Sequence, residues 1–304
     1  MRSLMRLWEE EFHNYQPNVR FEDHLNGTVS AIGGLYGRAA DLALMGREIW
    51  PTEQLAFQQT IGFPASGVKV AMGSFDVPTK ADALVVFVHR DNPLSCLTLE
   101  QLDGIFGSQH LRGGRNLRKW RDLGLGGTWA AQAIHPYGYR VDNAAAIFFR
   151  NRVMKGSLLW NPTLRQFGNR TGPGGHRTDS GRQILDALAG DRYGIAISNP
   201  HYAGQQVKAV SVSEDRGKGC VPATRSNVQN GSYPLARAVY IFFVHQPDHD
   251  VAPPVAEFLR YVLSAQGQEA VAREGAYLTL PVTVAARQSK ILASFPSRPL
   301  TLHR

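Results

Sequence analysis

Short apolar runs alternate with helical segments along most of this chain, and that alternation restricts it to an α/β architecture. Residues 41–45, 68–72, 84–88, 133–139, 193–198, 207–212 and 238–244 are brief enough to be buried strands, with a shorter run at Val19–Phe21. Helical periodicity fills the intervals at 2–15, 28–37, 52–61, 98–106, 144–154, 180–189, 253–264 and 266–275. Thr98 caps one of these helices, and Thr52 with Glu53 opens another. Strands separated by helices predict largely parallel sheets. Residues 168–179 read as a Gly/Arg-rich loop, 213–232 as a polar stretch, and the chain beyond Pro281 as a polar tail.

With 304 residues the chain has room for two lobes of about 100–200 residues each. The strong strands at 84–88 and 238–244 bracket the middle, which predicts a discontinuous first lobe, 1–87 with 238–304, around a second, 88–237. Two strands crossing between lobes would form a hinge, with a ligand cleft beside it.

The net charge of +8 admits nucleic acid, an acidic surface or a small anion as partner. Its one cluster, Arg112, Arg115, Arg118, Lys119 and Arg121, holds a single stacking aromatic, Trp120, so it reads as a solvated basic loop and nucleic acid is not expected. Cys96 and Cys220 lack metal-ligand spacing; two free thiols are the expectation, and a disulfide is the alternative for an exported protein. His245, Asp248, His249 and Asp250 fall in a Pro-containing turn and read as surface rather than metal site. Gly-x-Ser-x-Gly, the P-loop and the dinucleotide fingerprint are absent, so neither an enzyme nor a bound cofactor is expected. No apolar run reaches the ~20 residues of a membrane span. Leu4, Leu7, Trp8, Glu11 and Phe12 fall at helical spacing, so the start reads as an amphipathic helix and not as a cleavable leader.

Residues 26–48 carry the chemistry. Gly27, Thr28 and Ser30 open a helix whose first N–H groups attract negative charge. The strand that follows ends in Gly46-Arg47-Glu48, a backbone turn with a fixed cation. That combination suits an oxyanion and brings no nucleophile. Arg47 is assigned to the anion, with pairing to Glu48 or Asp41 as the alternative. Arg140 ends another strand and faces the ligand side of an α/β sheet, and Asn143 caps the next helix.

Five stretches, in order, resemble the phosphate ABC-transporter solute-binding proteins, the two-lobed periplasmic binding proteins of the second topological class. They are Gly27-Thr28; Asp41 through Arg47; Asp91-Asn92-Pro93-Leu94 with Leu97–Leu102 and Ile105-Phe106-Gly107; Tyr193-Gly194-Ile195 with Tyr233–Ile241; and Phe258-Leu259 with Ser264–Gln268 and Tyr277-Leu278. The resemblance implies capture of phosphate or a related oxyanion for an ABC permease, in the periplasm, by a monomer. It implies ligand contacts from Gly27, Thr28, Gly46, Arg47, Arg140 and Asn143, with Ser30 at the same helix start and Asp142 repelling a dianion unless Arg140 or Arg47 pairs with it. Family members usually carry serine where Gly46 stands, and an arginine followed by Ser-Gly-Thr at a helix start where this chain has Arg140-Val141-Asp142-Asn143-Ala144-Ala145-Ala146. In the family a strand and a Gly/Ser/Thr loop precede the first helix; the chain begins inside that helix, and a truncated reading frame is the expectation. These departures motivate the alternative of a sensory or scaffold domain of the same fold that binds a protein partner.

Overall fold

A computed structural model describes residues 1–296 other than Asn26, Thr79 and His176; part of the expected 168–179 loop and the end of the expected tail, 297–304, lie outside the described residues. The chain forms two compact units, Met1–Ala81 with Arg237–Arg304, and Asp82–Ala236.

The first unit opens with α1 (Arg2–Phe12), which buries Leu4, Met5, Trp8 and Phe12 on one face. The Trp8 indole N–H donates to the Gly267 carbonyl at 2.8 Å. Then come α2 (Thr28–Tyr36), β1 (Leu42–Met45), α3 (Pro51–Ile61) and β2 (Ser66–Met72). Val19–Phe21, expected as a strand, pairs with no strand among the described residues; three apolar-leaning residues become a strand only where a neighbouring ladder takes their backbone groups. Ile32 and Leu35 of α2, Ala43 and Met45 of β1, and Phe57 of α3 pack as one buried cluster, which fixes the start of α2 against the end of β1.

The second unit contains β3 (Val85–His89), β4 (Cys96–Thr98), α4 (Leu99–Phe106), β5 (His135–Tyr139), α5 (Ala144–Val153) and β6 (Arg165–Phe167). It continues with a small hairpin, β7 (Arg170–Thr171) and β8 (Arg177–Thr178), then α6 (Ser180–Ala189), β9 (Gly194–Ser198), β10 (Val207–Ser213) and α7 (Arg225–Gln229). The sheet order is β4-β10-β3-β9-β5-β6. β5 runs parallel to β6 and β9, and β10 parallel to β4, yet β3 is antiparallel to both β9 and β10. The expectation of largely parallel sheets is thus corrected to mixed ones. No helical crossover links β3 to the strands beside it, so nothing forces a common direction. β3 pairs wholly within the second unit, whose boundary falls at Asp82 instead of residue 88.

Two expectations about side chains change here. Cys96 and Cys220 are joined in a disulfide with Cα atoms 6.0 Å apart, so they are not free thiols. Arg112 and Arg118 are not solvated basic-loop residues. Arg118 donates to the Gly104, Ile105 and Gly107 carbonyls at 2.7–3.2 Å, and Arg112 to those of Arg152 and Val153 at 2.6 Å. Each guanidinium closes the carboxyl end of a helix, α4 and α5 respectively, where orphan carbonyls and the helix dipole favour a cation.

The chain returns to the first unit as β11 (Ala238–Phe243), α8 (Pro253–Leu263), α9 (Ala265–Glu274) and α10 (Val282–Ala293). β11 lies between β1 and β2, antiparallel to each. The expected polar tail is largely the helix α10, bound to β2 where the Lys69 N–H donates to Gln288 Oε1 at 2.9 Å.

Candidate functional site

In the first unit, Gly27 precedes α2 with φ 113° and ψ 163°, a backbone conformation that favours glycine. It brings no side chain to cap the helix, and among the described residues no side chain accepts from the first-turn N–H groups of α2. Thr28 is half-buried, and its hydroxyl oxygen accepts from the Gly46 N–H at 3.3 Å. That bond uses an acceptor position, so the Thr28 hydroxyl proton remains free to donate. Thr28 and Gly46, eighteen residues apart, therefore meet as expected, at the seam between α2 and β1. Ser30 is exposed and donates to the Gly27 carbonyl at 3.0 Å, a local bond that steadies the helix entry.

Arg47 requires a correction. Its side chain is 3% exposed and grips Glu53 through two bonds of 2.7 and 2.6 Å. It also donates to the Glu48 carbonyl at 3.0 Å and lies 3.5 Å over the Trp50 ring. Glu53 Oε2 accepts as well from the Trp50 N–H at 2.9 Å, locking the start of α3. Neither Asp41 nor the Glu48 carboxylate is the partner. Releasing a buried, bidentate guanidinium would strand Glu53 and cost several kcal/mol, on the order of 3–5. Arg47 is a brace for α3, not an anion donor.

A cation does lie beside Gly46, and the sequence reading did not assign it to the site. Arg237 is 9% exposed and donates from Nη2 to the Gly46 carbonyl at 3.3 Å. It was visible in the sequence only as part of Tyr233-Pro234-Leu235-Ala236-Arg237; nothing local ties residue 237 to residue 46. Its charge sits behind the turn and adds to the positive field of the α2 start.

In the second unit, Arg140 follows β5 and pairs with Asp142 through Nε at 3.2 Å and Nη2 at 2.9 Å. Their side chains are 63% and 66% exposed. An exposed pair of this kind is worth about 0–1 kcal/mol, so an anion that offers a better acceptor can draw Arg140 away. The contrast with Arg47 is one of burial, not of residue type. Asn143 accepts from the Ala145 N–H at 2.8 Å and so caps α5. The second unit also holds a buried polar layer that sequence reasoning missed. Asn199 donates to Asp82 at 2.7 Å, and Ser198 donates to the Gly181 carbonyl at 2.8 Å. Burial pushes the Tyr139 phenol up, and the Asp82 charge adds to that shift. Gly181 has no room for a side chain, because a Cβ would stand 2.9 Å from the Tyr139 hydroxyl. The residues of this layer, drawn from 82, 139, 181 and 198–199, converge only through the sheet order.

Among the described residues no group of three or more metal-ligating side chains occurs. The ring nitrogens of His245 and His249 engage backbone carbonyls at 3.0 Å.

A family model described as a PBP superfamily domain matches residues 1–266. The phosphate-binding protein PstS of Pseudomonas aeruginosa is 30% identical over 292 residues, covering 95% of this chain and 83% of that protein. The chain belongs to the PBP superfamily, in the family of PstS proteins. Solved relatives agree in fold. An ABC-type phosphate transport receptor from Vibrio cholerae superposes with a TM-score of 0.57 at 17% identity, over 91% of this chain and 95% of that one. PstS from Borrelia burgdorferi gives 0.59 at 13% identity, over 91% and 94%. At such identities these two establish the PBP architecture and not the ligand. Among the described residues no helix is long and apolar enough to cross a membrane.

Proposed function

We propose that this chain is a solute-binding protein that captures phosphate and delivers it to an ABC permease. The observation that carries the reading is the likeness to PstS along 95% of the chain, coinciding with an uncapped helix start at Thr28 beside Gly46. Donors from the first unit are the α2 amides and the Thr28 hydroxyl, which the Gly46 N–H holds in place. On the second unit, taken by itself, Arg140 is a candidate anion donor once it leaves Asp142, next to the α5 start that Asn143 caps. Each charge-assisted bond to phosphate is worth roughly 1.5–3 kcal/mol. The reading is capture without chemical change, since a ring of hydrogen-bond donors has no group to attack or deprotonate a ligand.

Export to the periplasm fits the Cys96–Cys220 disulfide, which persists in an oxidising compartment. The permease and the periplasmic setting come from the family likeness and are part of the same proposal.

Titration calorimetry with phosphate and sulfate tests this reading. Phosphate should bind with a Kd well below about 1 mM, and Thr28→Val should weaken it by about ten- to a hundredfold. One observation favours the second reading of a protein-binding scaffold: both arginines assigned from sequence are paired internally, with Glu53 and Asp142. Absence of heat with phosphate at millimolar concentrations would support that scaffold and reject capture.

A further inference from the structure

The basic stretch at 112–121 is only partly engaged within the second unit, and the rest of it adjoins three exposed leucines. Arg112 and Arg118 hold helix-end carbonyls, whereas Arg115, Lys119 and Arg121 are exposed. The segment 107–112 after α4 is laced to 154–160 after α5. The Ser108 N–H donates to the Leu159 carbonyl at 2.9 Å, Gly107 and Trp160 form an antiparallel bridge, and Ser157 Oγ donates to Gln109 Oε1 at 2.8 Å. On this paired base Leu158 is 72% exposed, Leu159 57% and Leu111 41%. Trp160, stacked on Phe149 with ring centroids 6.1 Å apart, seats the leucine turn on α5. Lys155 is exposed just before that turn. Arg115 is held at α4, its carbonyl so close to Gly104 that a Cβ there would stand 2.6 Å away.

Neither 104–121 nor 143–178 contains an aspartate or glutamate. The carboxylates around these segments are engaged elsewhere. Asp103 is buried, Glu100 pairs with Arg216 at 2.8 Å, Glu214 with Arg152 at 2.6 Å, and Asp122 accepts from the Arg118 and Lys119 N–H groups. The face thus joins aliphatic tips to uncompensated positive charge. We infer that it rests on an anionic phospholipid bilayer, with Leu158 and Leu159 entering the acyl boundary and Lys155 and Arg115 meeting headgroup phosphates. Apolar tips ringed by cations suit a membrane surface, where burial and attraction to anionic lipid add. Long basic side chains can lie along the apolar layer and keep their charge at the phosphates. A protein partner is the poorer match, because its energetic anchors are usually Trp, Tyr and Arg, with Leu under-represented. The ten residues of α5 span about 15 Å, so lipid contact at its carboxyl end leaves the Asn143 end open.

The test is co-sedimentation of the full chain with vesicles of phosphatidylcholine and phosphatidylglycerol in equal parts, at low salt and without phosphate. The parent chain should partition onto these vesicles about tenfold or more better than onto phosphatidylcholine alone. Leu158→Asn with Leu159→Asn keeps every charge and should weaken binding to the mixed vesicles by about tenfold or more. Both side chains are exposed, so the Tm of that variant should match the parent. Lys155→Gln with Arg115→Gln keeps the leucines and should weaken binding by about tenfold, a difference that high salt removes. Undiminished binding of the leucine variant would overturn the proposal, because the net charge of +8 would then be acting without this face. Equal binding to both kinds of vesicle would overturn it too. So would a failure to sediment with either, which would leave the face to a protein partner. These readouts use no phosphate, so anion capture stands or falls separately.

Discussion

Arg47 and Arg140 look equivalent as residues, a guanidinium after a strand in an α/β protein, and the structure sets them in opposite environments, Arg47 buried against Glu53 and Arg140 exposed beside Asp142. Arg47→Met should leave Glu53 as an uncompensated, mostly buried carboxylate and destabilise the first unit by about 3–5 kcal/mol in urea unfolding. Phosphate affinity measured well below the unfolding transition should change little. A large affinity loss with unaltered stability would return Arg47 to the site. The Thr28–Gly46 meeting was readable in sequence because helix openings and strand ends carry local signals. Arg237, Asp82 and Asn199 were not, since their significance arises from neighbours far along the chain.

At the scale of elements, most helices and strands fall within a few residues of where periodicity puts them; α6 occupies the expected residues 180–189. The exceptions have physical causes. Val19–Phe21 lacks a partner ladder, and α10 hides in a polar sequence because it packs one apolar side and exposes the rest. The basic cluster at 112–121 reads as surface until helix ends are placed beside it. Removing the Arg118 cap with Arg118→Ala should cost about 1.5–3 kcal/mol, seen as a lowered denaturation midpoint with unchanged slope. Glu9 of α1 titrates unusually: burial, then a hydrogen bond with and repulsion from Asp23, raises its carboxyl from 4.5 to about 7. The folded state therefore holds this proton more tightly than the unfolded one. Its contribution to stability is complete below pH 4.5 and is lost as pH rises through about 7. Glu9→Gln should raise the Tm at pH 8 relative to the parent and leave it nearly unchanged at pH 4; equal shifts at both values would refute the assignment.

For the molecule as a whole, the order of motifs identified the superfamily, whereas strand direction and the disulfide lay beyond it. β3 could have run either way, because no crossover ties it to its neighbours. Two cysteines separated by 124 positions carry no local sign of pairing, and only the fold brings them within bonding distance. Reduction of Cys96–Cys220 should lower stability by about 2–5 kcal/mol, with the second unit melting first in calorimetry. An unchanged thermogram after verified reduction would show that the bond does not stabilise that unit. Phosphate capture is proposed at the start of α2, beside the Gly46 turn. Amide chemical shifts during a phosphate titration read this directly: the largest changes should fall on the N–H groups of Thr28, Ser30 and Gly46. Saturable phosphate binding that leaves those amides unmoved would contradict it.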